Sequence, residues 1–562
     1  MLRTATARRL PSALLLVAWA LSGCEFAGGA DPAREPIVPK RYNLVPLPRL
    51  VVERDGNLKL GADTRIATRG ADPDLDRVAT FLAQRLRSVT GYPVPVVSAD
   101  AAGEPIVGAP LIELDVDPSR PDDEGYVLDV STSAIQLSAK GARGVFYGVE
   151  TLRQLLPGEV DAPGPTDGVT WSMPAVRIED APRFAYRGMH LDVSRHFFSV
   201  EFVERYIDLM ALYKMNTFHW HLTDDQGWRI EIKKYPQLTA VGAMRKETVV
   251  GRPSKPPIFD GQPYGGFYTQ DEIREVVAYA ADRFVKVLPE IEMPGHCLAA
   301  LASYPELACT PGPFETATSW GVFDDIYCPS EGTFQFLTDV LGEVITLFPD
   351  ALVHVGGDEV PEARWRDSPV AQEVVTRESL ASTSDLEAYF VGRIASFLTA
   401  NGRGLVGWDE IAARGKVADA TVMSWRGADT GLAAALQGYP VIMTPVGYTY
   451  FDQAQSGDLG EPLAAGAVLS LEHVYAFEPV PAGLGEAQAP LILGGQGNLW
   501  TEYVATNEHA EYMVFPRLLA LAEALWSPRA SRSYLDFLAR LTGNAKHLDA
   551  LGVNYAHHFE SQ

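Results

Sequence analysis

The sequence predicts an α/β protein: a (β/α)8 TIM barrel preceded by a smaller α+β unit. Three observations carry this. From about residue 183 onward, short apolar strands alternate with helical patterns, as a parallel α/β architecture requires. Eight such strands can be marked, over the length that a barrel with enlarged loops occupies, about 350 residues. The unusual polar and aromatic residues gather at the C-terminal ends of these strands, the face on which a barrel assembles its site. A doubly wound sheet, the alternative, leaves such ends less evenly distributed.

At 562 residues the chain is long enough for two or three folded units, and its 47% hydrophobic content supplies sizeable cores. Lysine and arginine total 47 against 72 acidic residues, a formal charge of -25. That balance repels nucleic acid and anionic polymers and favours a neutral or cationic substrate. The chain has no Gly-rich phosphate loop, no dinucleotide fingerprint and no Cys/His cluster of zinc spacing, so neither cofactor nor metal is expected.

Residues 1–24 read as an export signal. Arg3, Arg8 and Arg9 precede the apolar run Leu10 to Leu21, which is too short for a comfortable membrane span. The run ends in Leu21-Ser-Gly-Cys24, which resembles a bacterial lipobox, so Cys24 is the expected lipid anchor. An exported protein anchored at the cell envelope, facing periplasm or exterior, follows; plain secretion is the alternative. Residues 25–40, rich in Gly and Pro, read as a short tether.

Residues 41–180 mix short β runs (Val127 to Val130, Ala134 to Ser138) with helical patterns (Leu75 to Thr90, Gly144 to Leu156), the expected α+β unit. Residues 181–562 form the barrel domain. Its candidate strands are Gly188 to Val193, Thr217 to Thr223, Val285 to Met293, Leu352 to Gly356, Gly404 to Trp408, Thr421 to Trp425, Val441 to Thr444 and Leu491 to Gly494. Export also shapes the reading of the cysteines. Cys309 and Cys328 bracket a Pro/Gly/Thr/Ser-rich stretch suited to a disulfide-closed loop, which leaves Cys297 a free thiol beside His296.

The fourth strand is the most informative. It runs into His354-Val-Gly-Gly-Asp358-Glu359. Side chains alternate along a strand, so adjacent acids enter one pocket only where the backbone turns, and glycines permit the turn. Two neighbouring carboxylates cannot flank one bond from opposite faces, so they divide their labour: one donates a proton, the other holds a different group. The remaining strand ends contribute Asp192 and Arg195, then His219, His221 and Asp224-Asp225, then Glu290, Glu292 and His296. Trp408-Asp409-Glu410, Trp425, Tyr448-Thr-Tyr450-Phe-Asp452 and Trp500-Thr-Glu502 complete the set. Several aromatic faces around several carboxylates is the composition of a sugar site. His219 and His221 share a strand face as metal ligands do, but a third ligand of suitable spacing is lacking.

These motifs together resemble glycoside hydrolase family 20, the exo-β-N-acetylhexosaminidases. The resemblance rests on Arg187-Gly-Met-His-Leu-Asp192-Val-Ser-Arg195, His219-Trp-His-Leu-Thr-Asp-Asp-Gln-Gly-Trp-Arg229, Pro289-Glu-Ile-Glu-Met-Pro-Gly-His296, His354 to Glu359, Gly407-Trp-Asp-Glu410 and Leu499-Trp-Thr-Glu502. It covers roughly residues 41–540. It implies cleavage of β-linked N-acetylglucosamine or N-acetylgalactosamine from chitin fragments, muropeptides or glycan termini. The substrate's 2-acetamido carbonyl acts as nucleophile, with net retention.

By that resemblance Glu359 is the acid/base, Asp358 holds the acetamido N–H, and Asp224 with His296 forms a relay behind Glu359. Arg195, Asp452 and Glu502 bind sugar hydroxyls. Trp408, Trp425 and Trp500 wall the ring and acetamide, and Tyr450 binds the acetamido oxygen. Asp225 is an alternative to Asp224, as Tyr448 is to Tyr450. Arg187, Asp192, His219, His221 and His354 are implied to be scaffold. A catalytically dead sugar-binding protein would share the pocket, but it would not need Glu359, Asp358, His296 and Asp224 together.

Overall fold

The structure is a computed structural model that describes residues 41–70, 72–98, 110–413 and 417–561. The expected signal, tether and lipidated Cys24 lie outside these residues. The described residues all fall in one compact unit. Among the described residues no helix is long and apolar enough to cross a membrane.

The N-terminal part is a seven-stranded mixed sheet carrying two helices. Its strands are β1 (Leu50–Lys59), β2 (Arg65–Arg69), β3 (Val96–Ser98), β4 (Leu111–Val116), β5 (Tyr126–Val130), β6 (Ala134–Ala139) and β7 (Ser172–Asp180), in the spatial order β1-β7-β5-β6-β4-β2-β3. Along β5, Tyr126, Leu128 and Val130 are buried while Val127 and Asp129 are half-exposed, the alternation of a sheet covered on one face. The helices α1 (Leu75–Thr90) and α2 (Ala142–Leu155) supply the cover. In α1 the buried positions Leu75, Val78, Ala79, Leu82, Ala83, Leu86 and Val89 recur at helical spacing. Gly148 lets α2 press onto β6, since a Cβ there would stand 2.2 Å from Leu137 Cδ1.

The second part is a closed barrel of eight parallel strands. In chain order these are Tyr186–Asp192, Thr217–His221, Lys286–Glu290, Leu352–His354, Gly404–Trp408, Ala420–Ser424, Val441–Met443 and Ile492–Gly497. The expected fold class is therefore the observed one. Most strands end a few residues earlier than the apolar runs do, because the final residues of those runs already turn into the loops.

Register across the barrel sets the site. Asp192 stands level with His221, His221 with Glu290, and Glu290 with His354, so four polar side chains of four adjacent strands share one tier. The N-terminal sheet joins the barrel near the opposite end. Arg187, at the start of the first barrel strand, bonds Glu124 at 2.9 Å, and Lys214 meets Asp180 at 3.2 Å.

Candidate active site

The turn after the fourth barrel strand is built by its glycines. Gly356 and Gly357 adopt φ of +67° and +89°, and a Cβ at Gly356 would lie 1.8 Å from Glu292 Oε2. Both conformation and space therefore exclude a side chain there. The turn delivers Asp358 and Glu359 to one pocket of about 200 Å³. Its other walls are Arg195, Asp224, His296, Trp408, Trp425, Tyr450, Asp452, Trp500 and Glu502. The structure thus brings together all eleven side chains singled out from the sequence as catalytic or substrate-binding. The volume is below the ~300–1,000 Å³ of drug-sized ligand sites and suits one sugar ring.

A larger cavity of about 570 Å³ opens at the other end of the barrel, among Phe184, Tyr186, Leu288 and Leu352. Charged groups at its edge are already committed, Arg183 to Glu478 and Glu124 to Arg187. It lacks a catalytic constellation, so chemistry rather than size identifies the site.

Arg195 is held from several sides. Its Nε donates to Gln226 Oε1 at 2.9 Å, Nη1 meets Asp192 Oδ2 at 3.1 Å, and Nη2 meets Asp224 Oδ2 at 2.8 Å. The guanidinium also lies over the Trp500 ring, 5.1 Å from its centroid. Asp192 shapes this loop further by accepting from the Ser194, Arg195 and Thr501 N–H groups. Arg187, Asp192 and His354 touch protein groups rather than the pocket, in keeping with scaffold roles.

His296 links the two halves of the site. Its Nδ1 lies 3.3 Å from Asp224 Oδ1 and 3.1 Å from Asp225 Oδ2, and its Nε2 lies 3.5 Å from Glu359 Oε2. Both aspartates thus reach the ring. Asp224 also serves Arg195 and lines the pocket. Asp225 sits behind it, accepting the Leu298 N–H at 2.9 Å. Burial opposes a charged imidazole, but Asp224 and the hydrogen bonds to Asp224, Asp225 and Glu359 hold His296 well above its ordinary value. The His296 hydrogen bond in turn holds Glu359 below the usual glutamate range, against its partial burial. The proton between them therefore rests on His296 and leaves Glu359 a carboxylate.

Asp358 differs. Burial, with Glu290, Glu359 and Asp224 adding to it and His296 opposing, pushes its carboxyl up to about 6. Its Oδ1 is buried without a protein partner, as is Nε1 of Trp408. These are the polar atoms a bound ligand would satisfy.

The tertiary structure also separates residues that sequence left paired. Tyr450 stacks with Trp425 in the pocket wall, ring centroids 6.3 Å apart, while Tyr448 points away and stacks on His473. Glu410 is a strand-end acid to which the sequence assigns no role; its Oε2 accepts the Trp425 indole N–H at 3.1 Å. Gln226, which holds Arg195, had no signal beyond its place in the Asp-Asp-Gln run.

The disulfide Cys309–Cys328 is present, and its loop leans on the site. Ala317 N–H donates to the Asp225 carbonyl at 2.9 Å, and Gln226 Nε2 donates to the Ser319 carbonyl at 3.0 Å. Cys297 is a free buried thiol, pushed well above its ordinary value by burial and by Asp225, and so unsuited to nucleophilic attack.

His219 and His221 both face Glu290, which also meets His354. The separations are 3.1, 2.5 and 2.7 Å. The His221 contact is a hydrogen bond, and the other two are close approaches that gather the imidazoles around one buried carboxylate.

Comparison with known proteins decides the family. The profile described as glycosyl hydrolase family 20, catalytic domain, matches residues 184–529, and that of domain 2 of the same family matches residues 41–181. The chain belongs to glycosyl hydrolase family 20. A β-hexosaminidase of Porphyromonas gingivalis is 43% identical over 94% of this chain, which spans 66% of that protein's length. A β-hexosaminidase of Vibrio furnissii is 38% identical over 85% of this chain and 76% of its own. Among solved structures, the family 20 β-N-acetylhexosaminidase of Streptomyces coelicolor superimposes with a TM-score of 0.79 at 34% identity, covering 93% of this chain and 99% of that one. The family 20 exo-β-N-acetylglucosaminidase of Vibrio harveyi, solved with N-acetylglucosamine, gives 0.81 at 34% identity, covering 94% and 81%. Family 20 enzymes are glycoside hydrolases that work by substrate-assisted catalysis.

Proposed function

We propose that this protein is a retaining exo-β-N-acetylhexosaminidase that removes terminal non-reducing β-linked N-acetyl-D-hexosamine from oligosaccharides or glycoconjugates. The observation that carries the reading is the placement of Asp358 and Glu359 on one glycine turn, entering one pocket from the same side. Carboxylates on two adjacent residues cannot flank one bond from opposite faces as an acid and a protein nucleophile do.

In the proposed cycle the 2-acetamido oxygen attacks the anomeric carbon as the glycosidic C–O bond breaks. Glu359 gives its proton to the departing oxygen. Glycoside packed over Glu359 removes water from this 43%-exposed side chain, which raises its pKa and moves the shared proton from His296 onto it. Asp358, ionised above about pH 6, accepts the acetamido N–H and faces the positive charge of the oxazolinium ion. Glu359, now a carboxylate, takes a proton from water as the water oxygen attacks the anomeric carbon. The acetamide is regenerated and the sugar leaves with its original configuration. A pocket of about 200 Å³ favours release of a monosaccharide over a disaccharide.

The test is a time course on a chromogenic N-acetyl-β-D-glucosaminide, followed by proton NMR. The β-anomer should form first and then mutarotate; α-anomer as first product would overturn the retaining scheme.

The exported, lipid-anchored location is part of the same proposal. Its support is the basic segment, apolar run and Leu21-Ser-Gly-Cys24. Acyl chains contribute about 0.8 kcal/mol per buried CH₂, so the protein should enter the detergent phase on Triton X-114 partition, and Cys24→Ala should not. Wild-type protein found wholly in the aqueous phase would reject the anchor.

A further inference from the structure

The buried chain of acids and imidazoles does not stop at Asp224. His221 Nε2 lies 3.0 Å from Asp224 Oδ2, the oxygen that also takes Arg195 Nη2. On the other side of the ring, His221 Nδ1 lies 2.5 Å from Glu290 Oε2. Glu290 in turn has His219 Nε2 at 3.1 Å and His354 Nδ1 at 2.7 Å. From the pocket inward the order is Glu359, His296, Asp224, His221, Glu290, acid and imidazole alternating. His221 and Glu290 are fully buried, and they meet because register sets them level on neighbouring strands.

We infer that His221 and Glu290 are positioning residues for the proposed reaction, holding Asp224 as a fixed anion that serves both the His296–Glu359 relay and the sugar-binding Arg195. The inference rests on the hexosaminidase reading above. A ring with a carboxylate at each nitrogen is satisfied in only one protonation state, with N–H at both. The other groups facing it are His190, the Trp500 ring and the Asp192 charge. Burial opposes the cation, but Glu290, Asp224 and their hydrogen bonds outweigh it and raise the imidazole to about 10.

The oxygens of Asp224 are then fully subscribed. Oδ2 meets Arg195 and His221, and Oδ1 meets His296 and the Asp225 N–H. Such a carboxylate cannot rotate without breaking a charged contact, so its aim at His296 is fixed.

Removing the Glu290 charge undoes this. In Glu290→Gln the His221 ring reverts to neutral and keeps one hydrogen. That hydrogen settles on Nε2 toward the Asp224 carboxylate while the new amide N–H₂ donates to Nδ1, so Asp224 keeps a hydrogen bond but loses the charge-assisted one that held it fast. Its aim at His296 is then less firmly fixed, and the ion pair between them weakens. The other groups around His296 are Asp225, Asp358, Glu359 and the buried Glu292. The shared proton is held less tightly and dissociates at lower pH.

The experiment is the pH dependence of kcat/KM for wild type, Glu290→Gln and His221→Asn, with Glu359→Gln in parallel. Both inner variants should move the basic limb to lower pH by about 1 unit or more, the scale of losing an opposite charge at this range. KM should also rise through Arg195. A fall in kcat/KM that is uniform with pH, with both limbs unmoved, makes these residues merely structural and overturns the inference. Glu359→Gln separates the two readings: if it leaves the basic limb in place, the acid assignment itself has failed. Should neither inner variant fold, neutron diffraction from wild-type crystals at pH 7 decides. Deuterium on both His221 nitrogens is expected, and a bare nitrogen there overturns the inference.

Discussion

His296 and Glu359 face each other at 3.5 Å, and both hold a left-handed backbone, with φ of +47° and +48°. Neither is glycine, so each conformation costs of order 1 kcal/mol or more that the surrounding structure must hold in place. Two strained residues in direct contact at the mouth of one pocket mark the point where geometry has priority over stability. The strain also explains why a glycine-rich turn leads into Glu359: the chain must reverse sharply to aim the acid back at His296.

Proton transfer by Glu359 makes the first prediction. Glu359→Gln should lower turnover by roughly 10² to 10⁴ on a glycoside with a poor leaving group. An activated aryl glycoside, which departs with little protonation, should lose far less. Steady-state kinetics on the two substrates checks this, and equal losses would remove Glu359 from the acid role.

The second concerns Asp358. It must be ionised to face the oxazolinium charge, and its pKa near 6 means that kcat/KM should rise with pH through that value. Asp358→Asn keeps the shape, abolishes this limb and should cost on the order of 10² to 10³. Stepwise fluorination of the substrate N-acetyl methyl should depress kcat/KM steeply in wild type. A shallow response, or a glycosylated Asp358 peptide in the mass spectrum, would point to a protein nucleophile instead.

Asp452 offers a test on stability. Burial, reinforced by Glu502, raises its carboxyl to about 8, against roughly 3.9 unfolded. A carboxyl raised on folding contributes stability that is fully present below pH ~3.9 and is lost as pH climbs through ~8. Asp452→Asn should therefore melt higher than wild type at pH 9, match it at pH 4, and bind substrate more weakly at both. Identical pH dependence of Tm in the two proteins would show that Asp452 does not bear this cost.

The disulfide provides the fourth. Replacing Cys309 and Cys328 by serine should cost about 3 kcal/mol for a loop of this size. Because the loop braces Asp225 and Gln226, and Gln226 holds Arg195, KM should rise more than kcat falls. Melting curves with and without reductant, alongside kinetics, test both halves; a change in Tm with kinetics untouched would confine the loop to a stabilising role.

Much of this site was readable from residue order. Every pocket residue lies at or just beyond a strand end, and strand ends announce themselves as apolar runs that stop at Gly, Pro, acids or Trp. Once eight parallel strands close, those ends meet by construction, which explains why Arg195, Asp224, His296, Asp358, Glu359 and the aromatics share one pocket; their selection from the other strand-end residues came from the resemblance to family 20. The deeper tier was not readable in this way. His219, His221, Glu290 and His354 each resemble an ordinary buried polar residue until register sets them level.

Residue order alone thus specifies the architecture and the class of pocket, because hydrophobic periodicity and strand-end chemistry are local properties; the membership of its wall was what the resemblance to family 20 implied. Choosing between neighbours took long-range packing. Asp224 and Asp225 share one local signature, yet Arg195 and His221 draw the first into the pocket while the Leu298 N–H, 73 residues on, holds the second behind it. Tyr450 and Tyr448 likewise part company because Trp425 stacks on one and His473 on the other. Which way a side chain points at a turn is set by partners far along the chain, and no local pattern records where those partners will be.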